Sequence, residues 1–261
     1  MPNTVAEPEA QEEKRELGAM SLLQHLEELR KRIIHSAVAI VVCFGLGWYY
    51  HERIFTLMRR PITDALTLHH WDPSLIYTNP TDPFNLYLKI ALIAAIFFAS
   101  PFILYQVWLF ISPGLYSNEK RYVIPFLLFS VGLFLAGGLF GYKVVYPKAL
   151  DFLIGFGGDL RPLITVTEYT SLFLTIVLSL GIIFELPIVI GFAALMGVVD
   201  AKFLMRHLRG AVFLAFVLAA LITPTPDIMS VTIFAAPIIG LYLASVAVAW
   251  FVHPSRRKAK K

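Results

Sequence analysis

The stretch Ile90-Ala-Leu-Ile-Ala-Ala-Ile-Phe-Phe98 decides the fold class, because its apolar residues follow one another without alternation. In a bilayer the backbone must satisfy its hydrogen bonds internally, as a helix or as a closed barrel. Strands of a membrane barrel alternate apolar and polar residues with a period of two. The stretch therefore predicts a helix that spans a membrane.

Five further apolar runs flank this one along the 261 residues. The six runs are Ile33 to Tyr50, Phe84 to Ile111, Tyr122 to Tyr142, Thr170 to Val199, Ala211 to Thr223 and Ile228 to Val252. A membrane span needs about 20 helical residues, and a hydrophobic content of 57% with a mean hydropathy of +0.70 exceeds that of ordinary globular domains. The sequence predicts an all-α integral membrane protein with six transmembrane helices in residues 21–252.

The two ends of the chain are polar and lie outside the apolar runs. Residues 1–20 are rich in Glu and Pro and are predicted to be a disordered acidic tail, and residues 253–261 form a basic tail. Six spans place both ends on the same side of the membrane. On that side lie 15 of the 22 Lys and Arg residues, so the positive-inside rule predicts cytoplasmic termini in a cell membrane.

Charge and motifs exclude several function classes. The net charge of +4 follows from this topology and does not indicate nucleic-acid binding. The phosphate-binding loop and the common hydrolase motifs are absent from the sequence, as is a recognisable pairing of a nucleophile with a base, so an enzyme is not expected. Cys43 is the single cysteine, and His69 and His70 have no neighbouring ligands, so neither a metal site nor another cofactor is predicted.

Carboxylates just outside the first span are the first candidate site. Leu22, Leu26, Leu29 and Ile33 share one helical face, which predicts a helix lying along the membrane surface. Glu28 and Arg32 have the i,i+4 spacing of a helical ion pair. Glu28 is interpreted either as part of a solvated charged face or as a carboxylate presented to a cationic ligand.

Glu119 follows the second span in Ser112-Pro-Gly-Leu-Tyr-Ser-Asn-Glu-Lys-Arg121. A carboxylate in the first turn of the third helix would be stabilised by the helix dipole, which is a sufficient structural role. Alternatively, Glu119 pairs with Glu28 across the cytoplasmic face. Because arginine binds carboxylates in a bidentate fork, two carboxylates held apart would suit a ligand with two guanidinium groups.

Glu185 lies within the fourth apolar run, two residues before Pro187. A carboxylate at membrane depth is costly when ionised, so such residues are usually functional. The structural alternative is a protonated side chain that is hydrogen-bonded within the bundle. A proton-coupled secondary transporter that uses Glu185 is therefore the alternative function, although the chain shows no convincing internal repeat.

The fifth run is short and is joined to the sixth by Pro224-Thr-Pro226-Asp227. Thirteen residues of helix span roughly 20 Å, which suggests either a partner that docks here or a helix that begins earlier, near Phe203. Asp227 is expected to cap the sixth helix. Gly137 and Gly141 have the GxxxG spacing of close helix packing.

Four of these segments together resemble the TatC family of twin-arginine protein translocases. They are His25-Leu-Glu-Glu-Leu-Arg-Lys-Arg32, Ser100-Pro-Phe-Ile-Leu-Tyr-Gln-Val-Trp-Leu-Phe-Ile-Ser-Pro-Gly-Leu-Tyr116 followed by Glu119-Lys-Arg-Tyr122, Phe184-Glu-Leu-Pro187, and Thr223-Pro-Thr-Pro-Asp227. The match runs in consistent order from about Leu22 to Val252.

The resemblance implies a cupped six-helix bundle that binds signal peptides carrying paired arginines. The positions matching the family's recognition patch are Glu28, Phe110 and Glu119, with Arg30 in support, and the position matching Glu185 lies in the concave face. Single-span TatA and TatB partners would dock at the fifth and sixth spans, near Thr223, Asp227 and Ser230. Transport of folded proteins in a larger complex would be driven by the proton-motive force.

The sequence departs from the family pattern at this docking region. Val231 follows Ser230 where many relatives carry Gln, and Leu243 stands near Tyr242 where many carry Glu. The outer turn is also one residue longer than the common form. These departures leave a polar docking cluster less well defined than the signal-peptide patch.

Overall fold

The computed structural model describes residues 22–111, 123–158, 160–223 and 227–252. The predictions for the tails 1–20 and 253–261 and for Glu119 lie outside these ranges. The helices are α1 (Leu22–Tyr49), α2 (His51–Met58), α3 (Arg60–Leu68), α4 (Asp82–Ile111), α5 (Val123–Phe140), α6 (Tyr146–Phe156), α7 (Val166–Ile183), α8 (Leu186–Leu195), α9 (Ala201–Arg206), α10 (Leu208–Ile222) and α11 (Ile228–Val252).

Five helical segments of the described ranges are long and apolar enough to cross a membrane: Leu23–Tyr49, Asp82–Ile111, Ile124–Phe156, Val166–Leu195 and Ile228–Val252. The third and fourth of these segments combine α5 with α6 and α7 with α8. A sixth apolar helix, α10, has 15 residues, or about 22 Å of length. The all-α membrane class is thus confirmed, and the count of six spans stays a prediction.

Two segments differ from the sequence-based expectation. Helix α1 is one continuous helix of 28 residues, whereas a separate surface helix was expected before Ile33. No proline interrupts this segment, so the amphipathic turns continue directly into the apolar ones. The third run was expected to end at Tyr142, but a π-helical turn, Gly141–Val145, joins α5 to α6 and extends the helical segment to Phe156.

The fourth and fifth runs contain breaks. The fourth divides at Phe184 and Glu185, between α7 and α8, because Pro187 has no N–H for a helical hydrogen bond. Ahead of the fifth run, helix begins at Ala201, close to the expected Phe203, but it stops at His207 before α10 starts. Helix α10 therefore remains a short apolar helix with a basic segment in front of it.

Helices α1 and α4 form an antiparallel pair. His25 stacks on Phe110, Arg32 hydrogen-bonds to Gln106, and Gly47 lies against Ala91. Residue numbers therefore rise along α1 as they fall along α4. A Cβ atom at Gly47 would stand 2.5 Å from the carbonyl oxygen of Ala91, so the two backbones approach as closely as they do because this residue has no side chain.

Close packing also joins α5 to α7, as the GxxxG spacing predicts. A Cβ atom at Gly137 would lie 2.6 Å from the Leu180 carbonyl oxygen, and one at Gly141 would lie 3.3 Å from the Cα atom of Val177. Small residues at such positions let membrane helices approach and gain van der Waals contact. The prediction that these glycines mark helix packing is confirmed.

The largest buried cluster lies at the end of the molecule where α1 leads into α2. Met58, Ile62, Tyr146 and Tyr169 are among its fully buried members. Tyr169 Oη donates to the Met58 carbonyl oxygen, and Tyr146 Oη donates to the Tyr169 carbonyl oxygen at 3.4 Å. These bonds satisfy hydroxyl groups that would otherwise be costly to bury.

A short backbone pairing joins the two loops at this same end. The Ile76 N–H donates to the Ile164 carbonyl oxygen at 3.1 Å, and the Val166 N–H donates to the Ile76 carbonyl oxygen at 2.8 Å. The pairing connects the segment after α3 to the segment before α7. It uses backbone groups that lie outside helices and need partners.

Candidate functional site

Three polar side chains meet at the amino-terminal end of α1, where it packs against the carboxyl-terminal end of α4. Arg32 Nη2 donates to Glu28 Oε1 at 3.1 Å, and Arg32 Nη1 donates to Gln106 Oε1 at 3.2 Å. The predicted i,i+4 pair between Glu28 and Arg32 is therefore present. We refer to these three side chains as the Glu28–Arg32–Gln106 cluster.

The cluster is largely shielded from its surroundings. Gln106 is 5% exposed, and the side chains of Glu28 and Arg32 are 16% and 23% exposed. Glu28 Oε2 and Arg32 Nε are buried and have no hydrogen-bond partner among the described residues. Because an unpaired buried carboxylate oxygen carries a desolvation cost, Glu28 retains a strong acceptor for a further donor.

An aromatic contact lies one turn away along α1. The His25 and Phe110 rings stack with centroids 4.4 Å apart and planes 21° apart. Phe110 is half-buried, whereas Arg30 on the other side of α1 is exposed. The structure thus brings Glu28 and Phe110 to the same end of the α1–α4 pair, with Arg30 as an exposed neighbour.

Trp108 holds this end of α4 in place. Its side chain is buried and packs against Phe126 and Phe192, with ring centroids 5.5 Å and 5.1 Å away. These contacts fix α4 against α5 and α8, and such aromatic pairs add to the stability gained from burial alone. The neighbouring residues Gln106 and Phe110 are therefore presented from a rigid helix.

The other half of the predicted patch is Glu119, which lies outside the described residues. Its separation from Glu28 is accordingly untested. The expected pairing of these two carboxylates stays a prediction.

Glu185 occupies the turn between α7 and α8, where the carboxylate accepts a hydrogen bond from Ser130 Oγ of α5. Its second oxygen, Oε1, is buried without a hydrogen-bond partner in the described part of the chain. The carboxyl group is thus attached to the neighbouring helix and keeps one free acceptor. This arrangement fits both interpretations of Glu185, the functional carboxylate and the protonated structural one.

The residues expected at the docking region lie at the junction of α10 and α11. Thr223 ends α10 and is buried, as is Ser230 in α11. Asp227 Oδ1 accepts a 2.8 Å hydrogen bond from the Ser230 N–H. The expected role of Asp227 as the cap of the sixth apolar helix is confirmed.

Sequence reasoning missed three members of the first site. His25, Arg32 and Gln106 were noted in motifs or in a helical pair, but they were not expected to form a site. Gln106 carried a usable signal, because a glutamine inside a membrane helix needs a polar partner. Within the described ranges, no three His, Cys, Asp or Glu side chains converge as metal ligands would.

The fold and this site define a helical, multi-span membrane protein with a shielded polar cluster where its first two long apolar helices meet. The sequence profile of the family described as Sec-independent protein translocase protein (TatC) matches residues 24–237. The chain belongs to the TatC family. It is therefore a membrane component of the twin-arginine protein translocase, and this family is not a family of enzymes.

Relatives and solved structures match over most of their length. TatC of Koribacter versatilis is 54% identical over 245 residues, which is 94% of this chain and 90% of that protein. TatC of Aquifex aeolicus is 36% identical over 93% of this chain and 100% of that protein. Two crystal structures of the twin-arginine translocase receptor TatC, one of them in DDM, are each 38% identical to this chain. Each match covers 86% of this chain, and it covers 97% of the first solved chain and 99% of the second. The TM-scores are 0.75 and 0.77.

Proposed function

We propose that this chain is the signal-peptide receptor and core subunit of its translocase. It binds twin-arginine signal peptides at the cytoplasmic face of the inner membrane and assembles with TatA-type and TatB-type single-span proteins. Folded proteins then cross the membrane at the expense of the proton-motive force. The proposal includes a cupped bundle of six spans with both termini in the cytoplasm, in agreement with the distribution of basic residues.

In this proposal Glu28 and Glu119 each bind one guanidinium group of the paired arginines. Phe110 supplies an apolar and aromatic surface beside them, and Arg30 helps to orient the peptide. The observation that carries the proposal is the hydrogen bonding of the two carboxylate oxygens of Glu28. One carboxylate oxygen is held by Arg32, while Oε2 is buried and has no partner among the described residues.

Shielding decides how strongly such a pair binds. An exposed ion pair contributes about 0–1 kcal/mol, whereas a hydrogen bond to a charged group contributes about 1.5–3 kcal/mol. Because Glu28 is mostly shielded, the second range applies to its contact with a peptide arginine. Lysine would lose the bidentate geometry, which accounts for a preference for arginine.

Partner docking is proposed at the junction of α10 and α11. Helix α10 is about 22 Å long, shorter than a typical hydrocarbon core of about 30 Å, and a neighbouring helix would cover its ends. Thr223, Asp227 and Ser230 lie at this junction. An additional single-span helix would pack beside this junction, and the assembly also includes further copies of this chain.

Crosslinking of a twin-arginine peptide to membranes that contain the intact translocase tests the receptor role. Glu28→Gln removes the charge and weakens the charge-assisted contact, so apparent affinity should fall roughly tenfold to a hundredfold. Glu119→Lys should abolish crosslinking because it replaces an attractive charge with a repulsive one. A twin-lysine peptide supplies the background signal.

Glu27→Gln is the matched control, since Glu27 is an exposed carboxylate on the same helix and its substitution changes the net charge equally. Glu168→Gln is a second control, because Glu168 lies near the start of α7 and hydrogen-bonds to the Thr165 cap. Both should leave crosslinking intact. Unchanged crosslinking in Glu28→Gln and Glu119→Lys would remove these carboxylates from the site.

A further inference from the structure

A groove of about 610 Å³ opens between α3 and α6. We refer to it as the α3–α6 groove. Its polar lining is Arg60, Asp64, Tyr142, Lys143, Lys148 and Asp151, and its apolar lining is Pro61, Ala65, Leu68 and Pro147. None of these residues belongs to the Glu28–Arg32–Gln106 cluster.

The groove lies at the end of the bundle opposite Glu28, and the proposed topology places this end at the depth of the lipid headgroups. Helix α5 has 18 residues, or about 27 Å, which nearly matches the hydrocarbon thickness of about 30 Å. Tyr142 and Lys143 follow directly after α5. On the other wall, α3 follows α1 and α2 along the chain, and Tyr142 Oη donates to the Leu57 carbonyl oxygen of α2 at 2.8 Å.

Three cations line the groove without ion pairs. Among the described residues, the side chains of Arg60, Lys143 and Lys148 have no carboxylate oxygen within 4.0 Å. Of the two acidic lining residues, Asp151 is engaged, because its Oδ1 lies 2.8 Å from His69 Nε2. With three cations and the two carboxylates of Asp64 and Asp151, the lining keeps an excess of positive charge.

The walls of the groove are ordered helices. Pro61 lies in the first turn of α3, and the fully buried Ile62 and Leu66 fix the opposite face of that helix in the core. Lys143 belongs to the π-helical turn between α5 and α6. Such turns insert an extra residue into a helix and occur frequently at functional sites. The cations are thus held at defined positions along two packed helices.

We propose that the α3–α6 groove binds the phosphate headgroup of an anionic phospholipid. Arg60, Lys143 and Lys148 bind the phosphate oxygens, Arg60 through its planar fork and the lysines as point charges. Leu68 and Pro147 contact the glycerol and the first acyl carbons. Free inorganic phosphate has the same oxyanion chemistry, but the membrane depth and the apolar lining favour a lipid.

The full chain, purified in a neutral detergent, provides the test. Binding of phosphatidylglycerol is measured by native mass spectrometry and by the rise in thermal unfolding temperature, with phosphatidylcholine and inorganic phosphate as parallel probes. Lys143→Gln/Lys148→Gln should weaken phosphatidylglycerol binding about thirtyfold, because each basic residue near the membrane surface contributes a factor of about five to six. Arg53→Gln/Arg161→Gln, which removes two cations of the same face outside the groove, should bind as the parent chain does.

Equal losses in both double variants, or equal binding of phosphatidylcholine, would overturn the proposal. Competition by millimolar inorganic phosphate would identify a free-phosphate site and would overturn the lipid assignment. If Lys143→Gln/Lys148→Gln fails to fold, Asp64→Asn gives a second test. Removing this carboxylate should tighten phosphatidylglycerol binding severalfold, and unchanged binding in Asp64→Asn would count against the groove.

Discussion

At the scale of single residues, the guanidinium group of Arg32 forms an ion pair with Glu28 within the same helix. Gln106 holds Arg32 at its other side, so that one oxygen of Glu28 is occupied and the second is not. A peptide arginine would meet a carboxylate that is already oriented. In the proposed receptor, the entropic cost of ordering this carboxylate would therefore fall on folding and not on peptide binding.

Gln106→Leu tests this orientation. Without the amide oxygen, Arg32 loses an acceptor and turns fully onto Glu28, where it covers Oε2. Crosslinking of a twin-arginine peptide should weaken about tenfold, in line with the loss of one charge-assisted hydrogen bond. Gln106→Leu/Arg32→Gln should recover much of the signal, since the competing guanidinium is then absent. Full binding by Gln106→Leu alone would show that Arg32 does not control access to Glu28.

The sequence predicted only part of this residue-level arrangement. The i,i+4 spacing was enough to predict the contact between Glu28 and Arg32, and Asp227 carried a recognisable capping signal. The contact between Arg32 and Gln106 could not be predicted from spacing. It depends on the register of two antiparallel helices, which pack closely at Gly47 and Ala91, away from Arg32 along both helices.

At the scale of helices, the close approach of α1 to α4 at Gly47 brings together the two helices that carry the Glu28–Arg32–Gln106 cluster. Gly47→Ala should force the two helices apart, because the new Cβ atom would meet the Ala91 carbonyl oxygen at 2.5 Å. We expect a loss of about 1–3 kcal/mol in the free energy of unfolding, as for other overpacked sites. Denaturant titration of the protein in detergent measures this change.

Gly45→Ala is the matched control, two residues away on the same helix, because nothing lies within 4 Å of a Cβ atom there. Alanine forms helices more readily than glycine, so this variant should be as stable as the parent chain or up to about 1 kcal/mol more stable. Equal stability losses in both variants would mean that the contact at Gly47 does not hold α1 against α4.

Helix existence was predictable, but helix boundaries were less so. Uninterrupted apolar runs are a strong signal for helices, and each of the six runs contains helix, five of them in segments long and apolar enough to cross a membrane. The continuity of α1 through the charged residues around Glu28 was missed, because amphipathic and apolar patterns look like separate elements. The extension of the third run through the π-helical turn was missed because a charged residue such as Lys143 usually marks the end of a membrane span.

At the scale of the whole molecule, the short helix α10 determines how many times the chain crosses the membrane. If α10 crosses the membrane, Arg206 and Ile228 lie on opposite faces of the membrane. If α10 does not cross it, the two residues lie on the same face. In a Cys43→Ala background, an impermeant maleimide added outside intact cells should label Ile228→Cys and leave Arg206→Cys unlabelled. Arg161→Cys is the control for accessibility from outside, and labelling of both Arg206→Cys and Arg161→Cys would exclude six spans with inner termini.

The backbone pairing between Ile76 and the segment before α7 has a consequence for biosynthesis. The carbonyl and amide groups of Ile76 find their partners only after residues 164–166 have been made, and the Met58 carbonyl oxygen likewise waits for Tyr169. A nascent chain that has emerged only as far as α6 therefore exposes unpaired polar atoms in its first loop. The first loop therefore reaches its final hydrogen bonding only after the start of α7 has been made, although it precedes α7 by about ninety residues in the sequence.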